Sequence, residues 1–148
     1  MVRTRGLTHL ALAVRDPARS MRFYRAVFGM KPVYRSADFV QLQTPGSHDV
    51  LVLERMAARA GPGGGIAHFG FRLLDPADIE AARRAVRRAG GTVRSTGEFV
   101  PGEPYLFFTD PDGYEVEIWY EHPTSLDPPD RPIAGTSRKP RARRVSRT

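Results

Sequence analysis

A chain of 148 residues is long enough for one globular domain, or for two intimately packed half-domains. With 41% hydrophobic and 26% charged residues, no apolar run near the roughly 20 residues of a membrane span and no secretory signal at its start, it is expected to be a folded cytoplasmic protein. It has no cysteine, which excludes a disulfide framework and thiolate chemistry and restricts any bound metal to nitrogen and oxygen donors.

Leu7 to Val14 alternates in Leu, Ala and Val and predicts a strand. Asp16-Pro17 then starts a helix, with Asp as N-cap and Pro at the first helical position. Met21, Tyr24, Val27 and Phe28 follow at helical spacing, and Gly29 supplies the stop. Lys31 to Tyr34, Phe39 to Gln43 and Val50 to Glu54 predict three short strands, the last two joined by a turn at Pro45 to Ser47. These elements make a first module over residues 1–56, followed by a Gly-rich linker over 57–65. A second module, 66–122, repeats the order. Ile66 to Leu73 predicts a strand, Asp75-Pro76 caps a helix running through Ala89, and Gly90-Gly91 ends it. Thr92 to Ser95, Tyr105 to Thr109 and Tyr114 to Tyr120 predict strands, with a turn at Asp110 to Gly113. The expected fold class is α+β: paired βαβββ modules forming a curved, cup-shaped mixed sheet, with helices on its outer face.

The remaining residues, 123–148, read as a disordered basic tail. Seven Lys/Arg there face only Asp127 and Asp130, so +5 of the chain's net +7 sits in this segment. A solvated terminus is favoured over nucleic-acid binding, because no aromatic residue is interleaved with the charges for base stacking.

The two modules carry matching phrases, HLALAVRDPARS from His9 and HFGFRLLDPADI from His68. A second pair, FVQLQTPGSHDVLVLER from Phe39 and YLFFTDPDGYEVEIWYE from Tyr105, aligns without a gap. Strand alternation puts Leu10, Leu12 and Val14 under the helix and leaves His9, Ala11 and Ala13 on an open face. In the second module Phe69, Phe71 and Leu73 face inward, leaving His68, Gly70 and Arg72 on the open side. The final strand divides into Val116, Ile118 and Tyr120 against Glu115, Glu117, Trp119 and Glu121. His9, His68 and Glu117 would thus turn toward one cavity as two imidazoles and a carboxylate, a donor set for divalent Fe, Mn, Zn, Ni or Co. Either histidine alone is more often a hydrogen-bonded core or surface residue than a ligand, and Glu115, Glu117 and Glu121 could instead form a wet acidic face. Around the cavity, Gln41, Arg72, Tyr105, Phe107 and Trp119 are the candidate substrate-binding residues. Arg72 would pair with a substrate carboxylate or phenolate, or is a surface cation. Tyr105 is a proton donor or a rim aromatic, and Phe107 and Trp119 suggest an apolar or aromatic pocket or serve as core packing.

The elements HLALAVRDPARSMRFYRAVFGM, IAHFGFRLLDPADIEAAR and YLFFTDPDGYEVEIW resemble the vicinal oxygen chelate superfamily, which includes glyoxalase I, fosfomycin thiol-transferases, bleomycin-binding proteins and extradiol dioxygenases. The resemblance covers roughly residues 5–121, and DPDGxxxE is its most specific part. It implies a metal held by His9, His68 and Glu117 and a small substrate that chelates it through adjacent oxygens. It also implies a homodimer, in many members with a site built between chains, so that His9 meets the partner subunit's His68 and Glu117. Glyoxalase I and the epimerases of the superfamily carry a fourth Glu or Gln ligand in the first module. The gapless alignment puts Leu51 there and a one-residue shift puts Val52, while Glu54 needs a shift of two or three residues. Three ligands match the Fe(II) extradiol dioxygenases most closely. Those enzymes place a Tyr where this chain has Phe107, and a His upstream where STGEFVPGEPY has none. Fosfomycin transferases also place a Tyr there. The leading expectation is a metal-dependent enzyme with Fe(II) as the favoured ion, acting on a small oxygen-chelating substrate. The alternative is a metal-free sequestration protein of the bleomycin-resistance type.

Overall fold

The computed structural model describes residue 2, residues 7–125 and residue 127. Apart from 123–125 and Asp127, the segment read as a basic tail lies outside the described residues. The elements follow the order β1 (His9–Val14), α1 (Pro17–Phe28), β2 (Lys31–Arg35), β3 (Phe39–Gln43) and β4 (Val50–Arg55), then β5 (Phe69–Arg72), α2 (Ile79–Arg88), β6 (Thr92–Glu98), β7 (Pro104–Thr109) and β8 (Glu115–Trp119). Short 3-10 turns, Ala57–Arg59 and Pro76–Asp78, lie in the intermodule segment and ahead of α2. No helix among the described residues is long and apolar enough to cross a membrane.

Each module folds into its own four-stranded mixed sheet, ordered β1-β4-β3-β2 and β5-β8-β7-β6. The α+β class of paired βαβββ modules follows. Each first strand runs parallel to the last strand of its module, with antiparallel pairing across the rest. The duplication extends to an irregularity: the second strand of each module shifts register once, between Pro32 and Tyr34 in β2 and between Val93 and Ser95 in β6.

Local chemistry sets the helix ends. Asp16, extended at φ −141°, accepts from the Ala18 N–H at 2.9 Å, and Gly29 closes α1 in the left-handed region at φ 67°. Asp75 caps in the same way through Ala77, but its first turn is 3-10 and the α-helix starts only at Ile79, later than the pattern predicts. β5 is shorter than expected: its ladder with β8 runs from Phe69 opposite Val116 to Arg72 opposite Trp119, where β8 ends, and His68 stands just outside the strand.

One hydrophobic core joins the modules. Leu12, Val14, Val40, Leu42 and Leu53 of the first sheet and Leu106, Phe108, Val116 and Ile118 of the second are all buried within it. Helix α1 reaches across: Phe23 lies 6.1 Å from Phe108, and Phe28 stacks on Phe71 at 3.9 Å. A polar lock accompanies this packing. Asp112 in the β7–β8 turn is buried and accepts from the Arg15 N–H (3.2 Å), the Arg19 guanidinium (2.7 Å) and the Ser20 hydroxyl (2.9 Å). Asp110 accepts the Tyr24 hydroxyl at 2.7 Å, and Tyr114 donates its hydroxyl to the Ala13 carbonyl at 2.9 Å. Burial raises the Asp110 pKa, opposed by the Tyr24 hydroxyl and the backbone N–H groups of Tyr114 and Asp112. The turn leading into β8, which carries Glu117, is therefore held by the first module's β1–α1 junction.

Candidate metal centre

In β8, Val116 and Ile118 point into the core, so Glu117 belongs to the open face by alternation, yet it is only 9% exposed. Its Oε2 lies 3.5 Å from Nε2 of His68, which is 44% exposed in its side chain. His68 is the one partner of this carboxylate among the described residues. Desolvation raises the Glu117 pKa, and the neighbouring imidazole acts in the opposite sense. Gly70 faces Glu117 across the β5–β8 ladder, and a Cβ there would come within 3.4 Å of Oε2. The absent side chain leaves space directly over the carboxylate.

These features fit a divalent ion in part. A nearly buried carboxylate is costly without compensation, and an imidazole beside it is a weak counterpart while neutral. A nitrogen and an oxygen donor facing a side-chain-free space suit a borderline or hard divalent cation. Two donors do not complete a site.

His9, the expected third donor, stands elsewhere. It opens β1 on the first sheet and lines a cavity of about 300 Å³ with Ala11, Gln41, Val52 and Glu54. A larger cleft of about 640 Å³ shares Ala11 and Glu54 with it and continues along Ala13 to the Gly61–Gly64 segment. Among the described residues no three His, Cys, Asp or Glu side chains gather as a metal requires. Of the three expected donors, His68 and Glu117 of the second module come together, while His9 of the first stands at its own cavity on the edge of the other sheet.

Register also identifies the counterpart of Glu117. Glu117 pairs with Gly70 and Phe107; at the equivalent place Val52 pairs with Ala11 and Gln41. The position thus belongs to Val52 and not Leu51. The β3–β4 connection is one residue longer than the β7–β8 connection, a difference the gapless alignment conceals. Glu54 lies one full strand repeat further on, opposite Ala13.

The other candidates divide between the sheets. Gln41 lies on β3 beside His9's cavity. Arg72 ends β5, and its guanidinium is engaged by Asp127 at 2.5 and 3.0 Å, by Glu121 at 3.5 Å and by the Glu121 and His122 carbonyls. These contacts hold the Arg72 guanidinium's pKa above its ordinary value, chiefly through Asp127. Phe107 meets the His68 ring edge-on at 5.2 Å, Tyr105 lies 5.7 Å from Phe107, and Trp119 pairs with Tyr105 across the ladder. Sequence reading missed Phe99, which stacks on Tyr105 at 4.4 Å, and Asp127 as the partner of Arg72. An exposed Phe inside a Pro/Gly loop was the available signal for the first; nothing in the local pattern marks the second.

Comparison with known proteins agrees with this architecture. Residues 6–118 match the family model described as Glyoxalase/Bleomycin resistance protein/Dioxygenase superfamily. A lactoylglutathione lyase of Neisseria meningitidis serogroup A is 30% identical over 123 residues, covering 76% of this chain and 88% of that protein. A probable trivalent organoarsenical cleaving enzyme of Bacillus subtilis is 27% identical over 117 residues, covering 76% and 77%. In fold, a mutant of the fosfomycin resistance protein FosX from Listeria monocytogenes, complexed with Mn(II) and a dihydroxypropylphosphonic acid, superposes with a TM-score of 0.66 at 16% identity, covering 78% and 90%. The matched modules span most of the chain, and the protein belongs to the glyoxalase/bleomycin resistance protein/dioxygenase superfamily.

Proposed function

We propose that this protein is a metal-dependent enzyme acting on a small substrate that chelates the ion through adjacent oxygens, at a site assembled between two copies of the chain. One copy supplies His68 and Glu117, and the partner supplies His9. The observation that carries this reading is the pairing of His68 with a nearly buried Glu117 that has no other partner among the described residues, while the third donor sits on a separate sheet edge. Superfamily members are generally dependent on a divalent metal, and the FosX complex holds Mn(II).

The bound cation would act as a Lewis acid on a substrate oxygen. Three protein donors would leave coordination positions open for substrate, and Val52 in place of a carboxylate keeps the first module from closing a fourth. Gly70 keeps the approach to Glu117 clear. Phe107 meets the His68 ring edge-on and would help to orient the imidazole toward the ion. The donor set is compatible with Fe(II), as in a dioxygenase-like reaction, and equally with Mn, Co, Ni or Zn. With no cysteine, this chain offers no thiolate of its own to a substrate.

Metal content and variant mixing test the proposal together. Purified without chelator, the wild type should carry stoichiometric divalent metal, and His9→Ala and His68→Ala should each lose it. Co-refolding the two variants should restore roughly one site in four, since only mixed dimers regain one intact site. Absence of stoichiometric metal in the wild type overturns the metal reading. Metal in the wild type with no recovery on mixing places the site within one chain.

A further inference from the structure

Arg72 stands on the open side of β5, two residues past Gly70 and so about 6.6 Å of strand from the position opposite Glu117. Its guanidinium already holds a carboxylate, and that carboxylate belongs to the chain. Nη1 donates to Asp127 Oδ1 at 2.5 Å and Nη2 to Oδ2 at 3.0 Å, the two-point fork by which arginine recognises carboxylates in general. Both side chains remain open to water, at 31% and 26% exposure, so a ligand in solution can reach the contact.

The two ends of this contact are held unequally. The guanidinium is oriented without Asp127, because Nη2 also donates to the Glu121 carbonyl at 3.0 Å and to the His122 carbonyl at 3.3 Å. That stretch is itself pinned to β7 and the loop before it. The Tyr120 N–H donates to the Pro104 carbonyl and the His122 N–H to the Glu103 carboxylate, both at 3.0 Å. Asp127 has less to hold it. Among the described residues its carboxylate meets only Arg72 and, in a local turn, the Thr124 N–H at 2.7 Å. An ion pair this exposed contributes little to stability, so Asp127 can leave while the fork stays aimed. Glu121, 3.5 Å from Nη1, is present either way, and exchanging Asp127 for another carboxylate leaves the local charge unchanged.

We propose that Arg72 is a carboxylate-binding subsite that the chain closes with its own Asp127: a small carboxylate ligand enters by displacing that side chain and taking over the fork. The subsite goes beyond the metal-dependent reading and requires neither His68 nor Glu117.

An NMR titration of the isotope-labelled full chain with succinate, without added divalent metal, tests it. In the wild type the Arg72 Nε–H and Asp127 amide signals should move together. Asp127→Asn keeps the size of the side chain and removes the competing charge. It should bind succinate about tenfold more tightly, because an internal carboxylate at high effective concentration no longer occupies the fork. Arg72→Lys keeps the charge without the fork and, combined with Asp127→Asn, should lose that gain. Equal affinity in the wild type and Asp127→Asn would overturn the proposal. So would unchanged affinity on adding Arg72→Lys, or the same signal movements with chloride at matched ionic strength. Succinate binding through Arg72 in a protein that holds no stoichiometric metal would keep the subsite and sink the metal reading. Stoichiometric metal without Arg72-dependent binding would do the reverse.

Discussion

The two modules share strand order, register and even the site of one bulge, yet their open faces have diverged. Where the second sheet carries Glu117, Phe107, Tyr105 and Trp119, the first carries Val52, Gln41, Phe39 and Glu54 at the corresponding ladder positions. The second face holds a carboxylate, an imidazole and aromatic rings. The first offers an imidazole above small and polar residues, with open clefts beside Ala11 and Ala13. Inner faces tell the opposite story, since both are apolar and merge into one core. Packing constrains the buried face of each sheet, whereas nothing but ligand chemistry constrains the open one.

Three changes would sharpen this contrast. The largest effect is expected from Phe108→Ala, which empties a fully buried position where α1 of the first module meets the second sheet. It should cost about 3–5 kcal/mol in denaturant unfolding. A single transition in both variant and wild type is expected, and two separable transitions would show that the modules fold independently. Next comes Asp112→Ala, which removes the acceptor for the Arg15 N–H, Arg19 and Ser20. A loss of about 2–3 kcal/mol is expected, because the acceptor is buried and charged although both guanidinium groups are partly exposed. A change under half that size would show that the lock is decorative. The smallest is Val52→Glu, which gives the first module the carboxylate it lacks. Without metal the buried charge should cost about 1–3 kcal/mol, and Mn(II) should raise the melting temperature of this variant more than that of wild type. Equal metal-induced shifts would mean that position 52 does not face the ion.

Much of the fold was legible because its causes are local. Asp-Pro before an apolar helical stripe and Gly after it specify both helices, and alternation identifies Leu12, Val14, Val116 and Ile118 as buried. The ends of elements were less legible. β5 stops where its partner strand stops, and α2 begins after a 3-10 turn, neither of which is written in its own residues. The site was legible in part: His68 and Glu117 meet, as their faces predict, because they lie on neighbouring elements of one sheet. The commitment of Arg72 was not legible, because its partner Asp127 lies 55 residues away in a segment without periodicity.

The repeat of His and Asp-Pro in each module, the absence of cysteine and the alternating faces are properties of the chain itself. They determine the duplicated βαβββ plan and which side chains can reach an open face, because the strand period of two leaves no choice once one face must be buried. Only the tertiary structure decided that Val52, not Leu51, occupies the counterpart of Glu117, since that depends on a one-residue difference in loop length resolved by ladder hydrogen bonds. It also decided that His9 and His68 stand on separate sheet edges within one chain, because no local pattern records which strand edges remain unpaired after the two modules close on a shared core.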